Sequence, residues 1–151
     1  KLIIEKLFGT LSSKKIVILG FSFKANTNDT RESSAITICK DLLEEGARLT
    51  IHDPIVKKNQ IYADLSGNNG EDNFNFQQDG SWVFTNKLDD IFQDSHAVVI
   101  LTEWLEYSKI NWKSISKQMK KPSWIFDVRS IVDLNQVKET DIKFWRIGDG
   151  T

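Results

Sequence analysis

Cysteine is nearly absent from this chain of 151 residues, in which Cys39 is the only one. A single thiol excludes an intramolecular disulfide and a metal site built from several cysteines, and it suits a reducing compartment. An excess of positive charge is also lacking, because 20 Lys and Arg stand against 21 Asp and Glu. This balance argues against a nucleic-acid binder that neutralises phosphates.

Long apolar runs are lacking as well. No uninterrupted run reaches the roughly 18 residues that span a bilayer, and the first residues lack the small-residue cleavage pattern of a signal peptide. We therefore expect a cytoplasmic protein without a membrane partner. The chain does have 40% apolar residues, including nine Phe and five Trp, which suffices for the core of one domain of ordinary size.

Short apolar runs punctuate the sequence and read as strands buried on both faces, because they are continuous rather than alternating. They cover residues 16–19, 49–51, 97–101, 124–126 and 144–147, and residues 82–84 could add an edge strand. Segments with helical spacing lie between them: 33–46, 57–65, 88–92 and 112–119. This alternation predicts an α/β fold, Rossmann-like and doubly wound, with a mainly parallel sheet and helices on both faces.

The connection between the first strand and the first helix is the most informative segment. It spans residues 20–34, about a dozen residues of loop where two to six are usual. Long loops at the carboxyl ends of strands are where doubly wound folds bind ligands. Lys24 and Arg31 supply two cations and Phe23 an aromatic ring, a set that could hold a phosphate by charge and a planar base by stacking.

Composition alone leaves a second interpretation of this loop, in which it is solvated and Arg31 pairs with Asp29 or Glu32 as a brace. The loop also lacks the dinucleotide fingerprint G-x-G-x-x-G, because no glycine lies between Gly20 and Gly46. Asp53 ends the second strand where a ribose-binding acid would stand. Since Pro54 follows it, we interpret Asp53 as a turn former.

Several motifs in order resemble those of one enzyme family. The run Phe23-Lys24-x-x-Thr27-x-Asp29-x-Arg31-x-Ser33 resembles the signature that opens the C-terminal domain of nucleotide-sugar dehydrogenases. Residues 30–54, 96–104 and 125–129 continue the likeness, most of all to the branch acting on UDP-glucose, and the resemblance covers 14–147. It favours a functional loop over a structural brace.

The resemblance implies a function for the site residues. In that family this domain holds the UDP of the substrate, so Phe23 and Lys24 are expected to contact the uridine nucleotide, and Arg129 to contribute to the same UDP site. Arg31 is expected to reach across a cleft to NAD, which a separate N-terminal domain binds. The whole enzyme oxidises UDP-glucose, and its full-length form is expected to be a homo-oligomer.

The same resemblance bounds the domain. Residues 1–14 are expected to be the trailing end of a connection from a central helical region, and 15–151 the UDP-binding domain. The catalytic cysteine of the family is not in this chain, since Cys39 lies mid-helix on an apolar face. The fragment is therefore expected to be inactive alone, and structural roles are expected for His52, His96 and Trp104.

Three points stay open at the level of sequence. The family often has Gly where Val128 stands and Asn or Arg where Ser130 stands. The sugar nucleotide could instead be UDP-N-acetylmannosamine or GDP-mannose. A non-catalytic nucleotide-binding or interaction module would preserve the same fold.

A nucleic-acid partner is not expected, because the lysines of the 112–121 segment are explained by a solvated helix face.

Overall fold

The computed structural model describes residues 9–65 and 80–146. Within these ranges six strands form one parallel sheet in the order β3-β2-β1-β4-β5-β6. The strands are β1 (Lys15–Leu19), β2 (Arg48–His52), β3 (Ser81–Thr85), β4 (Ala97–Ile100), β5 (Trp124–Asp127) and β6 (Lys143–Arg146). The predicted strands, the extra edge strand and the Rossmann-like parallel sheet are thereby confirmed.

In the described ranges, five helices connect the strands and cover both faces of the sheet. They are α1 (Ser34–Glu44), α2 (Lys58–Asp64), α3 (Leu105–Ser108), α4 (Trp112–Ser116) and α5 (Leu134–Val137). The first face carries Ile16 and Ile18 of β1 and packs against α1 and α2. The second face carries Val17 and Leu19 and packs against α3, α4 and α5. Continuous apolar strands are the consequence of burial on both sides.

Helix α1 begins and ends as its sequence predicts. The Ser33 side chain accepts a hydrogen bond from the Ala35 N–H at 3.2 Å, which caps the first turn. Gly46 follows the helix with a φ of +89°, a left-handed backbone that glycine adopts without strain. The buried stripe of this helix is Ala35, Cys39, Leu42 and Leu43.

The predicted helix over residues 88–92 is wrong, because this segment forms turns. Asp90 has a φ of +61°, which is incompatible with a continuing right-handed helix. Ile91 and Phe92 are nonetheless buried against the second face, and Leu88 packs against the same cluster. The apolar spacing of these three residues therefore reflects contact with the sheet and not a helix. Helix α4 ends at Ser116, short of the predicted residue 119. The predicted loop over 66–80 lies outside the described residues except for Gly80.

The strand order determines where a ligand can enter. From β1 the chain continues to β2 on one side of the sheet, whereas β4 lies on the other side. At such a switch point the loops leaving two adjacent strands diverge, and a crevice opens beyond their carboxyl ends. Among the described residues, no helix has the length and apolar character needed to cross a membrane.

Candidate functional site at the carboxyl edge of the sheet

The switch point is closed tightly at its base by Gly20 and Thr102. Gly20 has a φ of +98°, and a Cβ atom there would lie 2.3 Å from the Cβ of Thr102. The Thr102 hydroxyl donates to the carbonyl oxygen of Ser22 at 3.0 Å. The close approach and the hydrogen bond hold together the first residues of the loops that leave β1 and β4. This contact fixes the direction in which the β1–α1 loop starts.

A buried carboxylate organises the loops that leave β1, β2 and β4. Asp53 follows β2 and is fully buried. Its two oxygens accept five N–H groups: those of Phe21 (2.9 Å), Ser22 (3.3 Å), Ile55 (2.9 Å) and Val56 (2.8 Å), and the indole N–H of Trp104 (3.3 Å). The bonds from Ile55 and Val56 are those expected of a turn former. The other three bonds give Asp53 a larger role, which is to connect the three loops.

Arg129 joins the loop after β5 to the loop after β1. Its Nη2 donates to the carbonyl oxygen of Phe23 at 3.0 Å, and its Nε donates to that of Leu101 at 3.0 Å. A Glu103 oxygen lies 3.7 Å from the same Nε. Within the described residues, Nη1 of Arg129 has no hydrogen-bond partner, so one edge of the guanidinium is available to a ligand.

The backbone beside Arg129 is shaped by a second buried carboxylate, Asp127. Its oxygens accept the N–H groups of Arg129 (3.0 Å), Ile131 (2.8 Å) and Val132 (2.8 Å), and Nη2 of Arg146 at 3.2 Å. Ser130 between them has a φ of +60°. Asn tolerates that left-handed region more readily than Ser.

Phe23 and Lys24 stand at the exposed tip of this arrangement. The Phe23 ring is 43% exposed although its N–H is held by the Asp29 carbonyl at 2.7 Å and its own carbonyl by Arg129. Lys24 is exposed, and its ammonium has no hydrogen bond or ion pair with any residue that the structure describes. Exposed apolar and cationic groups on a backbone held from both sides form a preorganised surface for an anionic aromatic ligand.

Arg31 lies farther along the same loop and is paired with Asp29. The Asp29 oxygens accept from Nε at 3.0 Å and Nη2 at 2.9 Å, and the Arg31 side chain is 88% exposed. Hydrogen bonds from Arg31 lower the pKa of Asp29 to about 2. The brace considered from composition therefore exists, and it holds the guanidinium outward without burying it.

The outer part of the loop rests on α2. The Thr30 hydroxyl donates to the Asp64 carboxylate at 2.6 Å, and the Gln60 amide donates to the Thr30 hydroxyl at 3.0 Å and to the Asn28 carbonyl at 2.9 Å. A long loop anchored at both ends in this way loses less entropy when it binds a ligand.

Phe23 and Arg129 are therefore in contact, and Lys24 is adjacent to Phe23 in the chain. Arg31 shares their loop, but the structure records no contact between it and Phe23 or Arg129. The residues that sequence analysis missed are the supporting groups Thr102 and Asp127, and the full role of Asp53. A polar residue at the end of a buried parallel strand, or within two residues after it, is the signal that could have found all three.

Cys39, His52 and Trp104 lie in the interior of the domain. Burial raises the pKa of the Cys39 thiol, which disfavours the reactive thiolate. Nδ1 of His52 lies 2.8 Å from the Tyr107 hydroxyl, and burial lowers the pKa of this histidine to about 4. Trp104 is 7% exposed, so its role is packing together with the hydrogen bond to Asp53.

Comparison with known proteins identifies the family of this domain. Residues 17–134 match the model of the UDP-glucose/GDP-mannose dehydrogenase family, UDP binding domain. The chain belongs to this family. The UDP-glucose 6-dehydrogenase of Drosophila melanogaster is 42% identical over 146 residues, 97% of this chain and 30% of that protein. The Gallus gallus enzyme of the same name is 45% identical over 139 residues, 87% of this chain and 26% of that protein.

Solved structures show the same family relationship. The UDP-D-ManNAc dehydrogenase from Pyrococcus horikoshii superposes with a TM-score of 0.69 at 26% identity, over 97% of this chain and 28% of that one. The chain spans about 30% of the length of the curated relatives it matches. The part it matches is the UDP-binding domain.

Proposed function

We propose that the carboxyl edge of this sheet binds the UDP part of a nucleotide sugar. Phe23 and Lys24 contact the uridine nucleotide, and Arg129 contributes its guanidinium to the same site. The observation that carries this proposal is the hydrogen bond from Arg129 to the Phe23 carbonyl, because it joins an arginine of the loop after β5 to the backbone segment that carries the aromatic ring and the lysine. Nη1 of Arg129 can donate to a phosphate oxygen, and Lys24, whose ammonium has no partner among the described residues, supplies a second positive charge.

The full-length protein, in this proposal, is an NAD-dependent UDP-glucose 6-dehydrogenase of the cytoplasm that works as a homo-oligomer. It oxidises the C6 alcohol of UDP-glucose to the carboxylate of UDP-glucuronate. The relatives with that name support the choice of UDP-glucose. Residues 15–151 contribute the UDP site, residues 1–14 the end of a connecting segment, and other parts of the protein the catalytic cysteine and most of the NAD site.

NAD does not fit this sheet in the usual dinucleotide manner. The β1–α1 loop has no glycine-rich turn for a pyrophosphate, and the carboxylate of Asp53, which stands where a ribose would be bound, is already occupied by five N–H groups. Arg31 is the residue that this domain offers to NAD, because its guanidinium is exposed and oriented by Asp29.

The domain acts by binding the part of the substrate that does not react. Contacts to the UDP half hold the sugar in a fixed position relative to the catalytic groups, and remote binding energy of this kind helps to orient the reacting carbon. The chain alone is therefore expected to bind UDP without oxidising UDP-glucose.

Lys24→Ala is the sharpest test of the UDP site, because its ammonium supports no other described residue. Calorimetric titration with UDP is expected to show affinity weaker by about tenfold, the loss of one charge-assisted phosphate contact. The melting temperature without ligand should not change. Lys40→Ala in α1 is the matched control and should bind UDP normally. Equal affinity of both variants, or no heat from the unaltered chain at millimolar UDP, contradicts the proposal.

Two alternatives are separated by further measurements. Competition between UDP and GDP on the chain distinguishes a uridine site from the guanosine site of a GDP-mannose dehydrogenase. Turnover of UDP-glucose with NAD by the full-length protein distinguishes an enzyme from a non-catalytic nucleotide-binding module. A preference for GDP or an inactive full-length protein contradicts the corresponding part of the proposal.

A further inference from the structure

A groove of about 450 Å³ lies at the opposite edge of the sheet, where the strands begin. Three basic residues stand side by side in it. The strand register places Lys15 of β1 opposite Arg48 of β2. His96 immediately precedes β4 and is level with Lys15, because its N–H donates to the Lys15 carbonyl at 2.8 Å and its Nδ1 accepts the Lys15 N–H at 3.2 Å.

Among the described residues that line the groove, cations outnumber anions. Lys120 adds another cation to this lining, and Asp94 is the one acidic residue that the structure describes in it. The Lys15 ammonium donates to the Gln93 carbonyl at 2.7 Å. In the described parts of the chain, the Arg48 guanidinium and the Lys120 ammonium make no hydrogen bond or ion pair. Like charges directly opposite each other on neighbouring strands are destabilising, so an anion between them would relieve a repulsion.

Electrostatic effects differ between two of these groups. Burial lowers the pKa of Lys15, Asp94 opposes that effect, and the neighbouring Arg48 lowers the pKa by less than Asp94 raises it. Burial also lowers the pKa of His96, as do the charges of Lys14 and Lys120, and Asp94 opposes them less strongly. His96 therefore experiences a surplus of positive charge, and Lys15 experiences the repulsion of Arg48 together with a stronger attraction to Asp94.

The floor of the groove is part of the second sheet face that no described helix covers. Thr50 of β2 is half-buried, and its register partner Val83 of β3 is 43% exposed. Thr50 and Val83 both line the groove beside the basic row. A volume of this size accommodates a ligand larger than inorganic phosphate, in the range of small-molecule sites.

We propose that this groove is a second anion site, which binds the phosphate groups of a small phosphorylated molecule between Arg48, Lys15, His96 and Lys120. The body of that molecule lies on Thr50 and Val83. The site is on the far edge of the sheet from Phe23 and Arg129, so it is independent of the proposed UDP site and does not require it.

Pyrophosphate is the probe, observed by amide NMR of the ¹⁵N-labelled chain at low salt. We expect saturable shifts at Thr50, Ser81 and His96, separate from any shifts at Ser22 and Arg129 on the other edge. Arg48→Gln is expected to weaken this binding by about fivefold to tenfold, and added salt should weaken it as well. Because Arg48 is exposed, supports no described residue and repels Lys15, the variant should melt at the temperature of the unaltered chain or slightly above it.

Lys40→Ala is the control, because it removes an exposed cation on α1, which packs on the first sheet face. It should leave the shifts at the amino edge unchanged. The pKa of His96, followed through its ring protons, should rise when pyrophosphate is bound, since an anion favours the charged imidazolium. Shifts confined to the carboxyl edge, shifts that do not saturate, or equal binding by Arg48→Gln would overturn the proposal. Its outcome does not depend on whether Lys24→Ala loses UDP.

Discussion

Nη2 of Arg129 donates to the carbonyl oxygen of Phe23 at 3.0 Å, although 106 positions separate the two residues in the chain. Both backbone polar groups of Phe23 are therefore hydrogen-bonded, because its N–H also donates to the Asp29 carbonyl at 2.7 Å. Arg129 therefore has a structural role in the unliganded domain as well as the ligand-binding role proposed for it. Substitutions of Arg129 and Lys24 should separate these two roles.

Arg129→Ala is expected to lower both stability and UDP affinity. Two hydrogen bonds to carbonyl oxygens are lost, so urea denaturation should show a free energy of unfolding reduced by about 1–3 kcal/mol. Arg129→Lys should recover part of the UDP affinity through its charge but little of the stability, because one ammonium does not replace the fork. Full stability of Arg129→Ala would show that the two hydrogen bonds contribute nothing.

Asp53→Asn tests the buried carboxylate that ties three loops together. The amide NH₂ would face N–H donors where an oxygen accepted them, and the negative charge that strengthens all five bonds would be lost. We expect a free energy of unfolding lower by about 2–4 kcal/mol, measured by urea denaturation. UDP affinity should also fall, because the Phe21–Ser22 backbone leads directly into Phe23. Asp89→Asn, an exposed change of the same chemistry, should alter neither quantity.

The sheet could be predicted from the sequence because burial on both faces leaves a local signature. Runs such as residues 16–19 and 97–101 are apolar without alternation, and no tertiary information is needed to recognise them. The segment 88–92 shows the limit of this reasoning. Ile91 and Phe92 lie three and four residues after Leu88, which is helical spacing. Asp90 nevertheless has a left-handed backbone that excludes a helix, and apolar spacing alone does not reveal that backbone.

The residues predicted for the candidate site are those that are exposed and chemically distinctive. Phe23, Lys24, Arg31 and Arg129 were proposed from residue type and motif, and their roles stay predictions. The structure does join Arg129 to the Phe23 carbonyl by a hydrogen bond. The hydrogen bonds from Thr102 to Ser22 and from Trp104 to Asp53 were not predictable. They join residues more than 50 positions apart, and their geometry depends on the strand order.

His52 should make stability depend on pH between about 4 and 6.5. Burial lowers its pKa to about 4 in the folded domain, whereas the unfolded chain takes up the proton near 6.5. The unfolded state then binds more protons in this window, so the free energy of unfolding falls as the pH falls, by about 3 kcal/mol at most. Urea denaturation from pH 7.5 to 4.5 measures this slope.

His52→Asn is the matched variant for that slope. Asn has no titrating group in this range but can still offer a polar atom to the Tyr107 hydroxyl. It should be less stable at neutral pH, and its stability should change less between pH 6.5 and 4.5 than that of the unaltered chain. An identical slope in both proteins would assign the pH dependence to another group, such as His96, whose pKa is also lowered by burial.

Cys39 should be unreactive in the folded domain. It is fully buried on α1, and burial raises the pKa of its thiol, so neither access nor thiolate is available. A disulfide reagent such as Ellman's reagent should label the native chain only at the rate of unfolding and should label one thiol completely in urea. In Lys40→Cys, the added exposed thiol should react at once while Cys39 stays protected. Prompt labelling of the unaltered chain would contradict the buried position and reopen a chemical role for this thiol.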